Sequence, residues 1–150
     1  MTYNCRMMNI SVSARPYSGV IARLKTAGLR PTRQRIALGK LLFEGENRHV
    51  TAEELHDEAR GAGVSVSLAT VYNALHQFTD AGLMREVVVE AGRSYFDTNT
   101  GDHHHFFHEE SGHLEDIPSD QIRVDALPTA PAGTTVRRVD VIVRVGSSDS

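Results

Sequence analysis

Between Ser67 and Gly82 the chain carries a pattern that only a half-buried helix satisfies. Leu68, Val71, Leu75 and Phe78 recur at three- and four-residue intervals and predict one apolar stripe facing a core. Ser67 stands where an N-cap is needed, and Gly82 where the chain must leave the helix. The other face presents Ser67, Thr70, Asn73 and Gln77, with Tyr72 near the boundary. A merely solvated helix would favour Lys and Glu at such positions, and this face has neither. Small and amide side chains reach base edges and phosphates without filling a groove.

The segments upstream supply what such a helix packs on. Val20, Ile21 and Leu24 predict a helix over Tyr17 to Ala27, which Gly28 stops. Pro31-Thr32 opens a second helix, with Ile36, Leu38, Leu41, Leu42 and Phe43 on its buried face. Arg30, Arg33 and Arg35 cluster at its start, and guanidinium groups beside free helix amides make a phosphate-binding end. Thr51-Ala52-Glu53-Glu54 is a capping box for a third helix, inward-facing at Leu55 and Ala59, that runs to about Ala62. Two helices joined by a short glycine-bearing turn, the second polar-faced, predict helix-turn-helix geometry. Leu83 to Val89, the turn Glu90-Ala91-Gly92, and Arg93 to Asp97 read as a β-hairpin wing. Residues 1–16 then read as a flexible arm, 17–99 as a winged-helix DNA-binding domain, and Thr98 to Gly101 as linker.

Residues 100–150 read as a small α/β dimerisation and ligand-sensing domain, giving an α+β fold class overall. Phe106-Phe107 and Leu114 to Ile117 predict two short strands flanking Glu109 to Gly112. A helix is expected over Ser119 to Leu127, and a final strand where Val139, Val141, Val143 and Val145 alternate with Asp140, Ile142 and Arg144. So apolar a strand in a fragment this short is hard to protect alone, which implies pairing with a second copy.

This second domain opens on Asp102-His103-His104-His105-Phe106-Phe107-His108, which holds four of the eight histidines. Imidazole suits divalent metals and haem iron and titrates near physiological pH. The run is compatible with a metal or haem sensor, a catalytic metal centre, or a solvated polar loop. Adjacent strand residues point to opposite faces, so His103, His104 and His105 do not all meet one ion easily. His108 and His113 are weaker candidates, and His56 and His76, within helices, are expected to be structural or exposed.

Charge is unevenly spread on a chain whose net charge is only −3. Residues 1–48 hold nine Lys or Arg against Glu44 and Glu46, whereas residues 101–150 hold four basic residues against nine acidic ones. Phosphate contact at one end and a different task at the other follow from that asymmetry. The single cysteine, Cys5, excludes an intramolecular disulfide and a paired-cysteine zinc clamp. No apolar run approaches the ~20 residues that span a bilayer, and the N-terminus lacks a secretory core, so a cytoplasmic location without membrane association is expected. A small metal hydrolase has no need of a basic winged helix, and no His-Glu-x-x-His motif is present, so no enzyme is expected.

The segments LKTAGLRPTRQRIALGKLL, RHVTAEELH, SLATVYNALHQFTDAGLMRE and the YFDTN…HHH run resemble the Fur family of metal-responsive repressors over roughly Val20 to Val145. Within it the chain is most similar to the rhizobial-type iron response regulator, Irr, through HHHFF, the lack of Cys-x-x-Cys pairs and the ending VDVIVRV. The resemblance implies a homodimeric repressor on AT-rich operators of iron-uptake and haem-biosynthesis genes. Its implied cofactors are haem, a divalent metal (Fe2+ or Mn2+, with Zn2+ substituting in vitro), or both, and a haem-delivering enzyme is a further implied partner. Lys25 matches the position that reaches the minor groove, Arg35 a backbone-contacting arginine, and Tyr72 the recognition-helix tyrosine; Asn73 stands where many relatives have arginine. The implied metal ligands are His49, Asp97, His105 and Asp116, and the implied haem ligands His103, His104 and His105. Phe106 and Phe107 replace two ligands of the family's His-His-His-Asp-His pattern, which points to haem. The alternative is a divalent-metal Fur-type repressor responding to Fe2+, Mn2+ or peroxide.

Overall fold

The computed structural model describes residues 17–148, and Cys5 and the expected arm over 1–16 lie outside them. The described chain divides into two compact units, the first ending at Thr100 and the second beginning at Gly101. No described helix is long and apolar enough to cross a membrane.

The first unit is helical, then sheet. Its helices are α1 (Ser18–Thr26), α2 (Arg33–Phe43), α3 (Ala52–Gly61) and α4 (Leu68–Asp80). Three hydroxyl side chains start three of them. Thr32 accepts from the Arg35 amide at 3.3 Å, Thr51 from Glu54 at 3.1 Å and Ser67 from Thr70 at 3.1 Å. Each satisfies a donor that the first helical turn leaves without a partner. At the other end of α4, Gly82 takes φ +81°, and the Leu83 amide folds back on the Phe78 carbonyl at 2.9 Å.

Phe78, Val71 and Leu75 of α4 are buried among Leu24 of α1, Leu38 and Leu42 of α2, and Leu55 and Ala59 of α3. Ala74 completes the buried stripe, while Leu68 is only partly covered at its edge. Helices α1 and α2 approach closely at Gly39, where an added Cβ would lie 2.8 Å from Val20 Cγ1. Strands β1 (His49–Val50), β2 (Arg85–Glu90) and β3 (Arg93–Asp97) form an antiparallel sheet in the order β1-β3-β2, with Gly92 at φ +73° in the β2–β3 turn. Thr98 secures its end, accepting from the Arg48 amide at 2.9 Å, while the Arg48 guanidinium grips the Glu58 carboxylate with both amino groups.

The second unit is a three-stranded sheet ordered β5-β4-β6, from β4 (His104–His108), β5 (His113–Ile117) and β6 (Ile142–Val145). β4 pairs antiparallel with β5 and parallel with β6. Two expectations are corrected here. The helix foreseen over Ser119 to Leu127 is a single 3-10 turn, Ser119–Gln121, after which Ile122 is extended. β-Branched Ile122 and Val124, and Pro128 soon after, oppose helix propagation. The last strand begins at Ile142 rather than Val139, because a strand persists only beside a partner: Ile142 meets His105 and Val145 meets His108, where β4 ends. The α+β fold class stands, a helix-turn-helix domain followed by the smaller sheet domain.

Candidate metal centre and nucleic-acid face

On α4, Ser67, Tyr72, Asn73 and Gln77 are exposed and Thr70 half-exposed, so the polar face lies open as the spacing predicts. Lys25, Arg30 and Arg33 are exposed as well. Two of the expected nucleic-acid contacts are engaged within the protein. Arg35 donates from Nε and Nη2 to Gln77 Oε1 at 3.2 and 2.9 Å, and from Nη1 to the Arg30 carbonyl at 3.0 Å. It therefore braces the start of α2 against α4. The Tyr72 hydroxyl donates to Glu53 on α3, 3.2 Å from each carboxylate oxygen. Partial desolvation of the phenol, then its hydrogen bond to Glu53, raises the Tyr72 pKa above its ordinary value. Glu53 escaped the sequence reading because its partner is nineteen residues away on another helix.

The histidine run divides by strand alternation. His105 and Phe107 are buried, whereas His104, Phe106 and His108 are half-exposed on the other face of β4. His103, just before the strand, is only 6% exposed, and its ring centre lies 4.6 Å from that of His105. Across the sheet Asp116 is the register partner of His105. Its Oδ1 lies 3.4 Å from His105 Nε2 and 3.6 Å from His103 Nε2. One ligand atom from each of these three residues falls within 4.8 Å of the others.

The tautomer of His103 follows from its surroundings. Its Nδ1 lies 2.7 Å from the Gly101 carbonyl, which only accepts, so Nδ1 carries the hydrogen. In the neutral ring the lone pair is then on Nε2, facing the Asp116 carboxylate. A cation placed between that lone pair and the carboxylate would be held by both. An imidazole whose other nitrogen is tied to a carbonyl is also the usual outer support of a metal ligand. The donor set, two imidazoles and a carboxylate, fits a divalent transition ion.

His104 is placed differently. Its Nδ1 accepts from the Val141 amide at 3.1 Å, so it ties β4 to the chain entering β6. Phe107, expected first as domain core and only secondarily as a haem contact, is 2% exposed and belongs to the core beside Leu114, with the Arg144 guanidinium over its ring. In the first unit His49 and Asp97 are register partners, and Asp97 is 1% exposed and accepts from the Asn99 amide at 2.8 Å. His56 is structural, its Nε2 donating to the Val66 carbonyl at 3.1 Å across the α3–α4 turn. His76 stands edge-on to Phe96, ring centres 5.4 Å apart.

A winged helix with an open polar recognition face, followed by a sheet carrying a His/His/Asp cluster, defines a narrow class of proteins. Residues 26–143 match the Ferric uptake regulator family, and the chain belongs to that family. It is 43% identical over 82 residues to the Ferric uptake regulation protein of Escherichia coli (strain K12), covering 55% of each chain. The chain thus spans about half the length of the curated relatives it matches. Among solved structures it is similar to the Pseudomonas aeruginosa ferric uptake regulator with manganese, at 25% identity and TM-score 0.66 over 86% of this chain and 98% of that one. The Vibrio cholerae ferric uptake regulator is similar at 27% identity and TM-score 0.67, over 85% and 98%.

Proposed function

We propose that this protein is a metal-responsive transcriptional regulator that binds AT-rich duplex DNA as a homodimer and performs no catalysis. The observation that carries the reading is the pair His103 and His105 presenting Nε2 to Asp116 in a family member with an open recognition helix. The ion is divalent, Fe2+ or Mn2+ in the cell, with Zn2+ competent in vitro. His49 and Asp97, register partners in the first unit, are proposed as metal ligands of that unit. Lys25, Arg30, Arg33, Ser67, Thr70, Tyr72 and Asn73 are proposed to meet DNA, and Arg35 to orient Gln77 on the same face. Dimerisation is supported by the second unit, where β6 is a sheet edge among the described residues and Val124, Leu127 and Val136 are 47%, 51% and 52% exposed.

The narrower Irr-like reading makes haem the effector and haem-biosynthesis and iron-uptake genes the targets. Of its three histidines, His103 and His105 stand together, whereas His104 is held by Val141. A haem-delivering enzyme belongs to this narrower reading only. The deciding experiment titrates the dimer with Mn2+, Fe2+ and haem separately while anisotropy reads its affinity for an AT-rich duplex. The expected result is a Mn2+- or Fe2+-dependent change that H105A abolishes. A change with haem alone, lost in H103A/H105A, would replace the divalent ion by haem. Affinity indifferent to all three would end the sensing reading.

A further inference from the structure

The outer end of the β4–β5 hairpin holds a second set of metal donors, which none of the steps above uses. His108 and His113 are register partners, the last pair before the turn, and the Gly112 amide closes that turn on the His108 carbonyl at 2.8 Å. Register partners share a face, and faces alternate along the strands. The His108–His113 row is three rows from the His105–Asp116 row, so the two sets lie on opposite faces of the sheet. We propose that His108 and His113 chelate a late first-row divalent ion, Zn2+ being the best-fitting probe, which clamps the hairpin.

Three observations carry this assignment. The two imidazole centres are 5.4 Å apart with planes inclined 39°. An ion ~2.0–2.1 Å from one nitrogen of each ring, at a tetrahedral angle, sets ring centres about 5 Å apart, so the pair is close to chelating distance already. His108 Nε2 donates to Glu115 Oε1 at 3.0 Å, which leaves Nδ1 as the lone-pair donor of the neutral ring. This is the carboxylate–histidine support common behind metal ligands, and it makes Glu115 an orienting group. On the β6 side of His108 a polar surface cavity of about 380 Å³ is lined by Glu110, Ser111, Ser147 and Ser148, so that solvent reaches the ring. The exposed Glu109, Glu110 and Glu115 favour a cation there.

The consequence is mechanical. β4 and β5 carry His105 and Asp116 on the opposite face, so an ion joining their outer ends holds the register in which those two residues meet. This assignment does not rest on the regulator reading. The test is Zn2+ titration of the full chain against a chromophoric chelator, with thermal melts in parallel. Wild type is expected to take up two equivalents and H108Q/H113Q one. H103Q/H105Q, which removes the first cluster, is expected to retain one equivalent and a Zn2+-dependent rise in Tm, both lost in the fourfold variant H103Q/H105Q/H108Q/H113Q. His49, His56, His76, His104 and Cys5 remain in every variant, so an ion bound by them would survive and overturn the proposal. So would an H108Q/H113Q stoichiometry equal to wild type. If the first cluster binds nothing, wild type and H103Q/H105Q each take up one equivalent, which refutes the earlier reading and leaves this one standing. Both substituted rings are at least partly exposed, and an unchanged metal-free melt verifies that H108Q/H113Q folds.

Discussion

At the scale of single residues, protonation and hydrogen bonding decide what a side chain is able to do. The histidine run announced a ligand-rich stretch in the sequence, but not which rings act together. In the structure one carbonyl at Gly101 and one amide at Val141 fix the nitrogens of His103 and His104 in opposite senses. The second contact has no sequence signature, because Val141 lies 37 residues from its partner. Tyr72 offers a titration test of the same kind. Its raised pKa means the folded protein holds the phenol proton more tightly than the unfolded chain does. The resulting stabilisation is complete below about pH 10 and is lost as pH rises from there through the folded value. Stability of wild type should therefore fall more steeply than that of Y72F as pH rises above about 10, as read from urea midpoints. In E53Q tyrosinate absorbance should show Tyr72 titrating earlier, because the desolvation remains but the carboxylate is gone. Coincident titrations in E53Q and wild type would exclude Glu53 as a cause.

At the scale of elements, the helices of the first unit were legible to their ends, whereas the later strands were legible in place but not in length, for a physical reason. A helix is specified by its own residues: caps at Thr32, Thr51 and Ser67, apolar spacing, and a glycine stop at Gly82. A strand's length depends on a partner elsewhere, which is why β6 is trimmed to the span of β4. Periodicity also left the depth of each helix face open, as with Ala74, buried though small, and Leu68, only partly covered. The α1–α2 crossing supplies a test. G39A improves local helix propensity by ~1 kcal/mol but drives a methyl into Val20, whose branched side chain turns with difficulty. Overpacking of this sort costs roughly 1–3 kcal/mol, so G39A should lower the denaturation midpoint, and V20A/G39A should recover part of the loss. A more stable G39A would mean that the helices separate freely.

At the scale of the whole molecule, the proposals concern association. If the second unit pairs with another copy, L127D/V136D should shift sedimentation from dimer to monomer without lowering far-UV helicity. A dimer that persists in that variant would move the interface elsewhere. Binding to DNA should weaken steeply with salt, and R33A should reduce the slope of log affinity against log salt by about one phosphate contact. An unchanged slope would remove Arg33 from the interface.

The parallel alignment of β6 with β4 has a kinetic consequence as well. The ladder begins between His105 and Ile142 and cannot form until the chain from Pro118 onward, with little regular structure, has been brought round. Contacts so distant along the chain close slowly, because ordering entropy is lost before any pairing is gained. The hairpin of β4 and β5 should therefore assemble first and β6 join late. In pulse-labelled refolding, amides of Phe106 and Glu115, which face each other across the hairpin, should gain protection from exchange before those of Phe107 and Val143, which face each other across β4–β6.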